Sequence, residues 1–451
     1  MKRFSRHHCV HTLNLPHVLL QSSSFSCTHT LRKKQQPCGV LWKRMHLGSV
    51  FSDLMSTREF SSHHPHQGTA ENNITFSDDL NIKFSFDYRD IYTMIREVND
   101  RNIQFVFDTS RRQQLLDTLE IGMRILSSSN AEEKVSLTHQ ARFLPSNRDH
   151  EGLRIQEERS LINTTDEDEF EKQVSELRKK YLNEFCGDHY MPGRPEKPLL
   201  IEDMKQIPTS YKQAGVSLPI FLLHNMAHIE LNAIDLCWHT LIMCLLNPIK
   251  ESVLYSESNN DIHDHETHQL NLFEFMNDFI KIAKDEARHF KELSERLNVL
   301  GSSYGAVTSH KAIWNLARDT QYSLLERVVI GNCVLEGRGL DSGDRLISKM
   351  IGCGDMISCN IVRTICHEEE DHVRIGVKWF NNISQLLFKN MEGLTSVLPS
   401  QFDNFQKQLF QQIVLKYYGP LPGPFNHEAR GAANMKLDWY EEISRNKIMK
   451  K

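Results

Sequence analysis

Apolar residues recur at helical spacing along most of this chain, and polar stretches rich in proline, glycine or charged residues separate the periodic segments. Side chains three, four and seven positions apart share one face of a helix, so each segment is expected to bury an apolar face. The pattern predicts long helices at about 217–246, 271–299, 311–337 and 355–390. Further helical segments are expected within about 85–140 and at about 402–417, and the predicted fold class is all-α.

Breaks in this pattern divide the chain into regions. Residues 141–170 are charged and poorly periodic, and 255–269 are polar, so both are expected to form loops. The prolines of "MPGRPEKPLLIEDMKQIP" (191–208) favour an extended path. We therefore expect a tail at 1–60, a linker at 61–82, a mostly helical region at 83–190, a four-helix unit at 191–390, and a C-terminal helix and tail at 391–451.

The N-terminal tail differs in composition from the rest of the chain. The first acidic residue is Asp53, and the residues before it are basic and rich in serine, histidine and threonine, as in an organelle transit peptide. The tetrapeptide "REFS" (58–61) resembles a mitochondrial processing site, so we expect a mitochondrial protein that loses residues 1–60. The alternatives are a disordered tail, or a start at Met45 or Met55 that gives a cytoplasmic protein.

Net charge, apolar runs and cysteine content bear on whether the protein binds nucleic acid, spans a membrane or forms disulfides. The net charge is −5 with histidine neutral, which gives no strong signal for nucleic acid. No apolar run approaches the roughly 18–20 residues of a membrane span, so none is expected. The ten cysteines include no CxxC pair, and we interpret them as reduced thiols of an intracellular protein.

Charged residues interrupt the apolar faces of the predicted long helices in an ordered way. In the second helix, Glu286 and His289 lie within the stripe formed by Phe279, Ile282 and Phe290. Comparable stripes on the other helices also contain glutamate, and the last repeats the Glu-x-x-His spacing. In chain order the residues on these faces are Glu230, Glu286, His289, Glu336, Glu369 and His372.

This set of residues predicts a dinuclear metal site. Four buried carboxylates need a shared positive charge, and the i, i+3 spacing presents an oxygen and a nitrogen to one ion. Carboxylate and imidazole ligands without thiolates suit two Fe ions, with Mn as the other choice. The alternative is a set of buried salt bridges with Arg288, Arg338 or Arg363.

Other polar residues are candidates for supporting this site. A metal-bound histidine needs a partner for its second ring nitrogen. Asp285 and Glu368 each precede one of the glutamates, and from there an acidic side chain could reach the histidine of the opposite helix. His228 shares another face of the first helix with His224 and Asp235, which would support the site, line a channel or pack against the N-terminal region.

Several segments between about 112 and 440 are distinctive. They are "PGRPEKP" (192–198), "LLHNMAHIELNAIDL" (222–236), "KDEARHF" (284–290), "LEGRGLD" (335–341), "HEEEDHVRIGVKWF" (367–380), "PFNHEAR" (424–430) and "DWY" (438–440). In these segments the chain resembles the ferritin-like proteins grouped as domain of unknown function 455. The resemblance implies a ferritin-like four-helix bundle with the same six ligands, an N-terminal helical extension, and a C-terminal helix with a lid-like tail. Two departures from the family pattern are Glu370-Asp371, in place of an apolar residue and glycine, and Gly337, in place of alanine.

A dinuclear iron site favours an O₂-dependent oxidoreductase of the hydroxylase or monooxygenase type. Such an enzyme would need O₂, an electron donor, and a small-molecule or modified-nucleotide substrate. The large additions around the bundle favour this reading, since "GPLPGPFNHEAR" (419–430) could cover the site. The alternatives are an iron-handling or peroxide-scavenging protein without an organic substrate, and a metal-stabilised scaffold. The sequence leaves open the substrate and whether a homo-oligomer forms.

Overall fold

The computed structural model describes residues 105–106, 111–143, 167–201, 203–246, 270–389 and 399–448. The predicted tail and linker (1–82) and the predicted loop at 255–269 lie outside the described residues. The described part is mostly helical, which confirms the all-α prediction. Its strands are two residues long and form two parallel pairs, Phe105–Val106 with Leu270–Asn271 and Leu200–Ile201 with Ser309–His310.

Helices occupy most of each described segment. In the N-terminal half they are α1 (Arg112–Ser127), α2 (Ala131–Gln140), α3 (Glu167–Glu184), α4 (Tyr211–Ala214), α5 (Leu218–Leu246) and α6 (Leu272–Val299). In the C-terminal half they are α7 (Ala312–Asp319), α8 (Leu324–Val328), a π-helical turn (Val329–Leu335), α9 (Glu336–Gly352), α10 (Met356–Lys389), α11 (Pro399–Tyr417), α12 (His427–Ala432), α13 (Leu437–Tyr440) and α14 (Arg445–Ile448).

The longest helices pack side by side and place their apolar faces in a common core. Helix α5 packs along α6, α9 packs along α10, and α6 contacts α10. Helices α1, α3, α4, α7 and α8 also cover α5, which explains why α5 is apolar on nearly all sides. By length and composition α5 could cross a membrane, contrary to the expectation from apolar runs, but 89% of its most apolar window is buried inside the protein.

The structure differs from the predicted helix at 311–337. Helix α7 ends at Asp319, and a new helix starts after Ser323, whose side chain accepts a hydrogen bond from the backbone N–H of Glu326 at 3.3 Å. This helix continues through the π-helical turn into α9, so Glu336 lies near its middle. The predicted helix ended at about 337, yet the chain stays helical to Gly352. At Gly343 a Cβ would stand 2.9 Å from the sulfur of Cys366, so glycine there permits close helix packing.

The C-terminal segment is helical and packs on the long helices. Helix α11 contacts α10 and the π-helical turn, and α12 contacts both α9 and α10. The indole of Trp439 in α13 packs edge-on against Phe380 of α10, with ring centroids 4.9 Å apart, and stacks on Phe410 of α11. The segment after α11 is therefore anchored in the core by large aromatic side chains.

Candidate metal centre

The predicted charged residues converge from the long helices. Ligand atoms of Glu230, Glu286, His289 and Glu369 lie within 4.8 Å of one another, and all four side chains are buried. His372, also buried, contacts two of these glutamates. Buried carboxylates and imidazoles this close together could hold a metal ion.

Both histidines direct the same ring nitrogen into the cluster. Nδ1 of His289 lies 3.7 Å from Glu286 Oε2 and 3.6 Å from Glu369 Oε1, and also 3.4 Å from Glu230 Oε2. Nδ1 of His372 lies 2.9 Å from Glu286 Oε1 and 3.0 Å from Glu369 Oε2. Glu286 and Glu369 thus each present one oxygen to each histidine.

The other ring nitrogens face carboxylates outside the cluster. Nε2 of His289 lies 2.7 Å from Glu368 Oε2, and Nε2 of His372 lies 3.5 Å from Asp285 Oδ2. Arg288 bridges these two carboxylates, with Nη2 donating to Glu368 at 2.8 Å and to Asp285 at 3.1 Å. A carboxylate on Nε2 favours a proton there, so an imidazole that gives up its Nδ1 proton to a metal directs the Nδ1 lone pair at the cluster.

Several buried polar atoms of the cluster have no hydrogen-bond partner. Among the described residues, this holds for both carboxylate oxygens of Glu286 and for Nδ1 of His289. Buried polar side-chain atoms nearly always have a hydrogen-bond partner, and a bound ion is one reason for an exception. The donor set therefore fits a metal ion at the centre of the cluster.

Burial and mutual repulsion shift the ionisation of the glutamates in the metal-free cluster. Burial raises the pKa of Glu230 well above its usual value, and the nearby charge of Glu286 adds to this effect. Burial likewise raises the pKa of Glu336, reinforced by the charges of Glu369 and Glu286. For Glu286 burial acts upwards, but its close neighbours Glu230, His289 and His372 bring its pKa well below the usual value. Protons thus replace part of the positive charge that metal ions would supply.

The neighbouring carboxylates favour the charged form of the histidines, whereas they oppose the charged form of Glu230 and Glu336. Burial opposes protonation of His289, but Glu230 and Glu286 raise its pKa to about 12. Burial also opposes protonation of His372, and Glu369 with Asp285 raises its pKa well above the usual value. Metal binding at this cluster must therefore displace protons from the imidazoles.

Glu336 directly follows the π-helical turn as the first residue of α9; it is half-buried, unlike the other ligand candidates, and lies outside the group of four whose ligand atoms are within 4.8 Å. Its backbone N–H donates to the carbonyl of Gly331, five residues earlier. A π-helical turn adds a residue to one helical turn and is frequent at functional sites. The wider turn fits against α10 because residue 376 there is glycine: a Cβ at Gly376 would stand 2.6 Å from the Cβ of Asn332.

His228 lies on a different face of α5 and has partners of its own. Its Nδ1 is 3.0 Å from the hydroxyl of Tyr304, and its Nε2 is 2.8 Å from the carbonyl oxygen of His310. On the same side of α5, Asp235 pairs with Lys134 of α2 at 2.6 Å and with Arg194. This face therefore joins α5 to the N-terminal helices and to the segment after α6.

The arginines proposed as salt-bridge partners have other contacts. The guanidinium groups of Arg288, Arg338 and Arg363 donate to Glu368, Asp341 and Asn360, respectively. Arg288 thus reaches the carboxylate behind His289. Arg288 follows Asp285 by three residues, a spacing that places the two side chains together on one helix face. This spacing was the signal in the sequence that Arg288 could contact Asp285.

Cys237 is a neighbour of the cluster that periodicity did not single out. It lies on α5, seven residues after Glu230, and burial raises the pKa of its thiol well above the usual value. The charges of Glu286 and Glu336 add to this effect. Its seven-residue spacing from Glu230, which puts both on one helix face, was the available signal.

The fold and the site together define a helical protein with a buried carboxylate–histidine cluster. The chain belongs to the family described as "Protein of unknown function (DUF455)", which it matches over residues 128–441, so the matched region contains the whole cluster. It is also similar to an "Uncharacterized protein" of Haemophilus influenzae (strain ATCC 51907 / DSM 11121 / KW20 / Rd), with 27% identity over 277 residues, 60% of this chain and 84% of the relative. No solved structure matches the chain.

Proposed function

We propose that the protein is a ferritin-like dinuclear metal carboxylate protein that holds two Fe ions, or Mn, and acts as an O₂-dependent oxidoreductase. The observation that carries this proposal is the arrangement of Glu286 and Glu369, each of which presents one oxygen to each histidine. A carboxylate placed between two imidazoles in this way can bridge two ions.

The remaining ligands complete two sites of similar composition. Glu230 is close to His289 and would bind the first ion. Glu369 is the neighbouring charge that raises the pKa of Glu336 most, so Glu336 would bind the second ion beside His372. Four carboxylates balance two divalent ions, and oxygen-rich ligand sets with imidazole suit Fe(II) and Mn(II).

The chain's own residues would prepare the site for oxidation chemistry. When bound, two iron ions supply the electrons and coordination positions with which O₂ is reduced. Glu368 and Asp285 orient the imidazoles, and Arg288 holds both carboxylates in place. Ile234 and Phe279, which share helix faces with Glu230 and Glu286, are buried and would help to exclude water from the site.

Metal content tests the site directly. Purified protein reconstituted anaerobically with Fe(II) should bind two ions per chain, and Glu286→Ala or Glu369→Ala should bind one or none. Glu292→Ala is the matched control, because Glu292 lies on the same helix and contacts Arg288 at its outer side. Unchanged metal content in both site variants would overturn the assignment.

A second experiment tests the reaction. The Fe(II)-loaded protein is exposed to O₂ with an electron donor and a metabolite extract, and mass spectrometry searches for products that gain an oxygen atom or lose two hydrogens. An oxygenated or desaturated product that Glu286→Ala does not form supports the enzyme. Oxidised iron accumulating beyond two ions per chain, without an organic product, would instead identify an iron-handling protein.

A further inference from the structure

The buried carboxylate of Asp341 on α9 binds the segment after α11. Asp341 accepts two hydrogen bonds from Arg430, from Nε at 2.9 Å and from Nη2 at 2.8 Å. It also accepts from the backbone N–H of Asn426 at 3.0 Å and from Nη1 of Arg338 at 2.9 Å. We call Asp341, Asn426 and Arg430 the tail latch. It joins the segments "LEGRGLD" and "PFNHEAR", which the sequence showed only as separate motifs.

Arg430 is held on all sides. Its guanidinium carbon lies 5.1 Å from the ring centre of Phe425 and 4.7 Å from that of Tyr440, and the residue is buried. Nη2 also donates to the backbone carbonyl of Gly337 at 3.2 Å. A Cβ at Gly337 would stand 3.2 Å from the guanidinium nitrogens, so this group lies flat against the backbone. Charge-assisted, bidentate contacts of this kind fix geometry tightly.

Gly337 directly follows the ligand candidate Glu336. Among the described residues, no side chain donates a hydrogen bond to the Glu336 carboxylate, which is half-buried. Its position therefore depends on its backbone. The π-helical turn fixes that backbone on one side, and the contact of Arg430 with the Gly337 carbonyl fixes it on the other.

We propose that Arg430 is a positioning residue for Glu336: the tail latch holds the backbone at Gly337 so that the Glu336 carboxylate reaches the second metal ion. This inference rests on the proposed dinuclear site. It assigns the C-terminal segment a role in assembling the site, because α12 supplies the arginine while α9 supplies the ligand. Glu336 should depend on the latch, whereas Glu230, which lies on another helix, should not.

The test is a titration with Co(II), whose visible absorption reports the geometry of its ligands. The variants are Arg430→Lys, Glu336→Gln and the double variant. Arg430→Lys keeps the charge but loses the bidentate contact, and should weaken the second Co(II) by about 10–100-fold and change its visible spectrum. In the Glu336→Gln background, Arg430→Lys should cause no further loss of Co(II) affinity. Arg430→Lys should nevertheless lower the melting temperature both in the wild type and in Glu336→Gln.

Arg296→Lys is the matched control for a general loss of stability. Arg296 donates to Ser358 and to Asp355, both at 2.9 Å, and joins α6 to α10 away from the cluster. It should lower the melting temperature and leave the Co(II) affinity and spectrum unchanged. If Arg430→Lys does not fold, Asp341→Asn, which keeps the shape of the latch, replaces it with the same expected result.

The outcomes separate the two proposals. A wild-type protein that binds no Co(II), or one ion only, contradicts the dinuclear site itself. If the wild type binds two ions and Glu336→Gln weakens one, but the latch variants titrate as wild type, Arg430 is not a positioning residue. An equal loss of affinity from Arg430→Lys in both backgrounds would also overturn the inference, since Arg430 would then act without Glu336.

Discussion

Gly376 of α10 faces Asn332 of the π-helical turn so closely that a Cβ on the glycine would stand 2.6 Å from the Cβ of the asparagine and 3.1 Å from its carbonyl carbon. The turn bulges because it holds one more residue than an α-helical turn, and the missing side chain on α10 accommodates the bulge. The glycine therefore allows the backbone conformation of the turn that directly precedes Glu336.

Gly376→Ala should force these helices apart or return the turn to α-helical hydrogen bonding. We expect a loss of about 1–3 kcal/mol in the free energy of unfolding, as for an overpacked core. We also expect loss of the second metal ion, because a shorter turn rotates Glu336 out of the cluster. Urea unfolding and metal analysis measure the two effects. Gly431→Ala is the control, since a Cβ there meets no atom within 4 Å. Full metal content in Gly376→Ala would show that metal binding does not depend on the π-helical turn.

The carboxylates behind the histidines should control metal affinity without binding metal. Glu368→Gln and Asp285→Asn weaken the hold on His289 and His372, and each should lower metal affinity by about 10–100-fold. Glu368→Gln should have the larger effect, because its contact is 2.7 Å rather than 3.5 Å. Competition with a chelator measures the affinity, with Glu292→Gln as the control. Affinities equal to wild type for both variants would show that the imidazoles are oriented by other groups.

Removing charge from the metal-free cluster should stabilise the fold. The raised pKa values of Glu230 and Glu336 mean that their charged forms oppose folding, so the metal-free protein loses stability as pH rises above the ordinary carboxyl range. In chelator at neutral pH, Glu230→Gln/Glu336→Gln should melt higher than wild type, and it should bind metal less tightly. A lower melting temperature would instead indicate that cationic partners stabilise these glutamates.

A separate pH dependence should come from the histidines on the other face of α5. Burial lowers the pKa of His224 to about 4, and its Nε2 accepts hydrogen bonds from the backbone N–H groups of Gly305 at 2.9 Å and Val307 at 3.3 Å. Between about pH 6.5 and 4, His224 is protonated in the unfolded chain but stays neutral in the folded protein. Stability should therefore fall as pH falls through this window, by about 3 kcal/mol for this group.

His224→Gln should make the dependence of stability on pH shallower by about one proton in that window. The exposed His367, whose side chain is 82% accessible, provides the control variant His367→Gln. Denaturant midpoints at several pH values give the slopes, and any contribution from the metal cluster cancels in the comparison. An unchanged slope in His224→Gln would assign the acid sensitivity to other groups.

Helical periodicity located the faces on which the cluster residues lie, and it separated His228 from Glu230. Two positions along a helix are about 200° apart, so neighbours in sequence face different surroundings. Periodicity could not locate the π-helical turn, because a hydrogen bond shifted by one residue leaves an apolar run such as "VIGNCVL" (329–335) looking like any helix. It also gave no reason for Gly337 and Gly343, since the partners that require glycine there, Arg430 and Cys366, are distant in sequence.

The two acid–histidine contacts between α6 and α10 also depend on how the two helices are aligned. Asp285 faces His372 and Glu368 faces His289, and on each helix the acid precedes the histidine by four residues. Pairs with this spacing can both form only when the helices run antiparallel in one register. A slip by one residue moves each group about 1.5 Å along the axis and turns it by about 100°, which separates both pairs together. A single-residue insertion in either four-residue interval would therefore leave at most one of the two imidazoles oriented, although every ligand would remain in the chain.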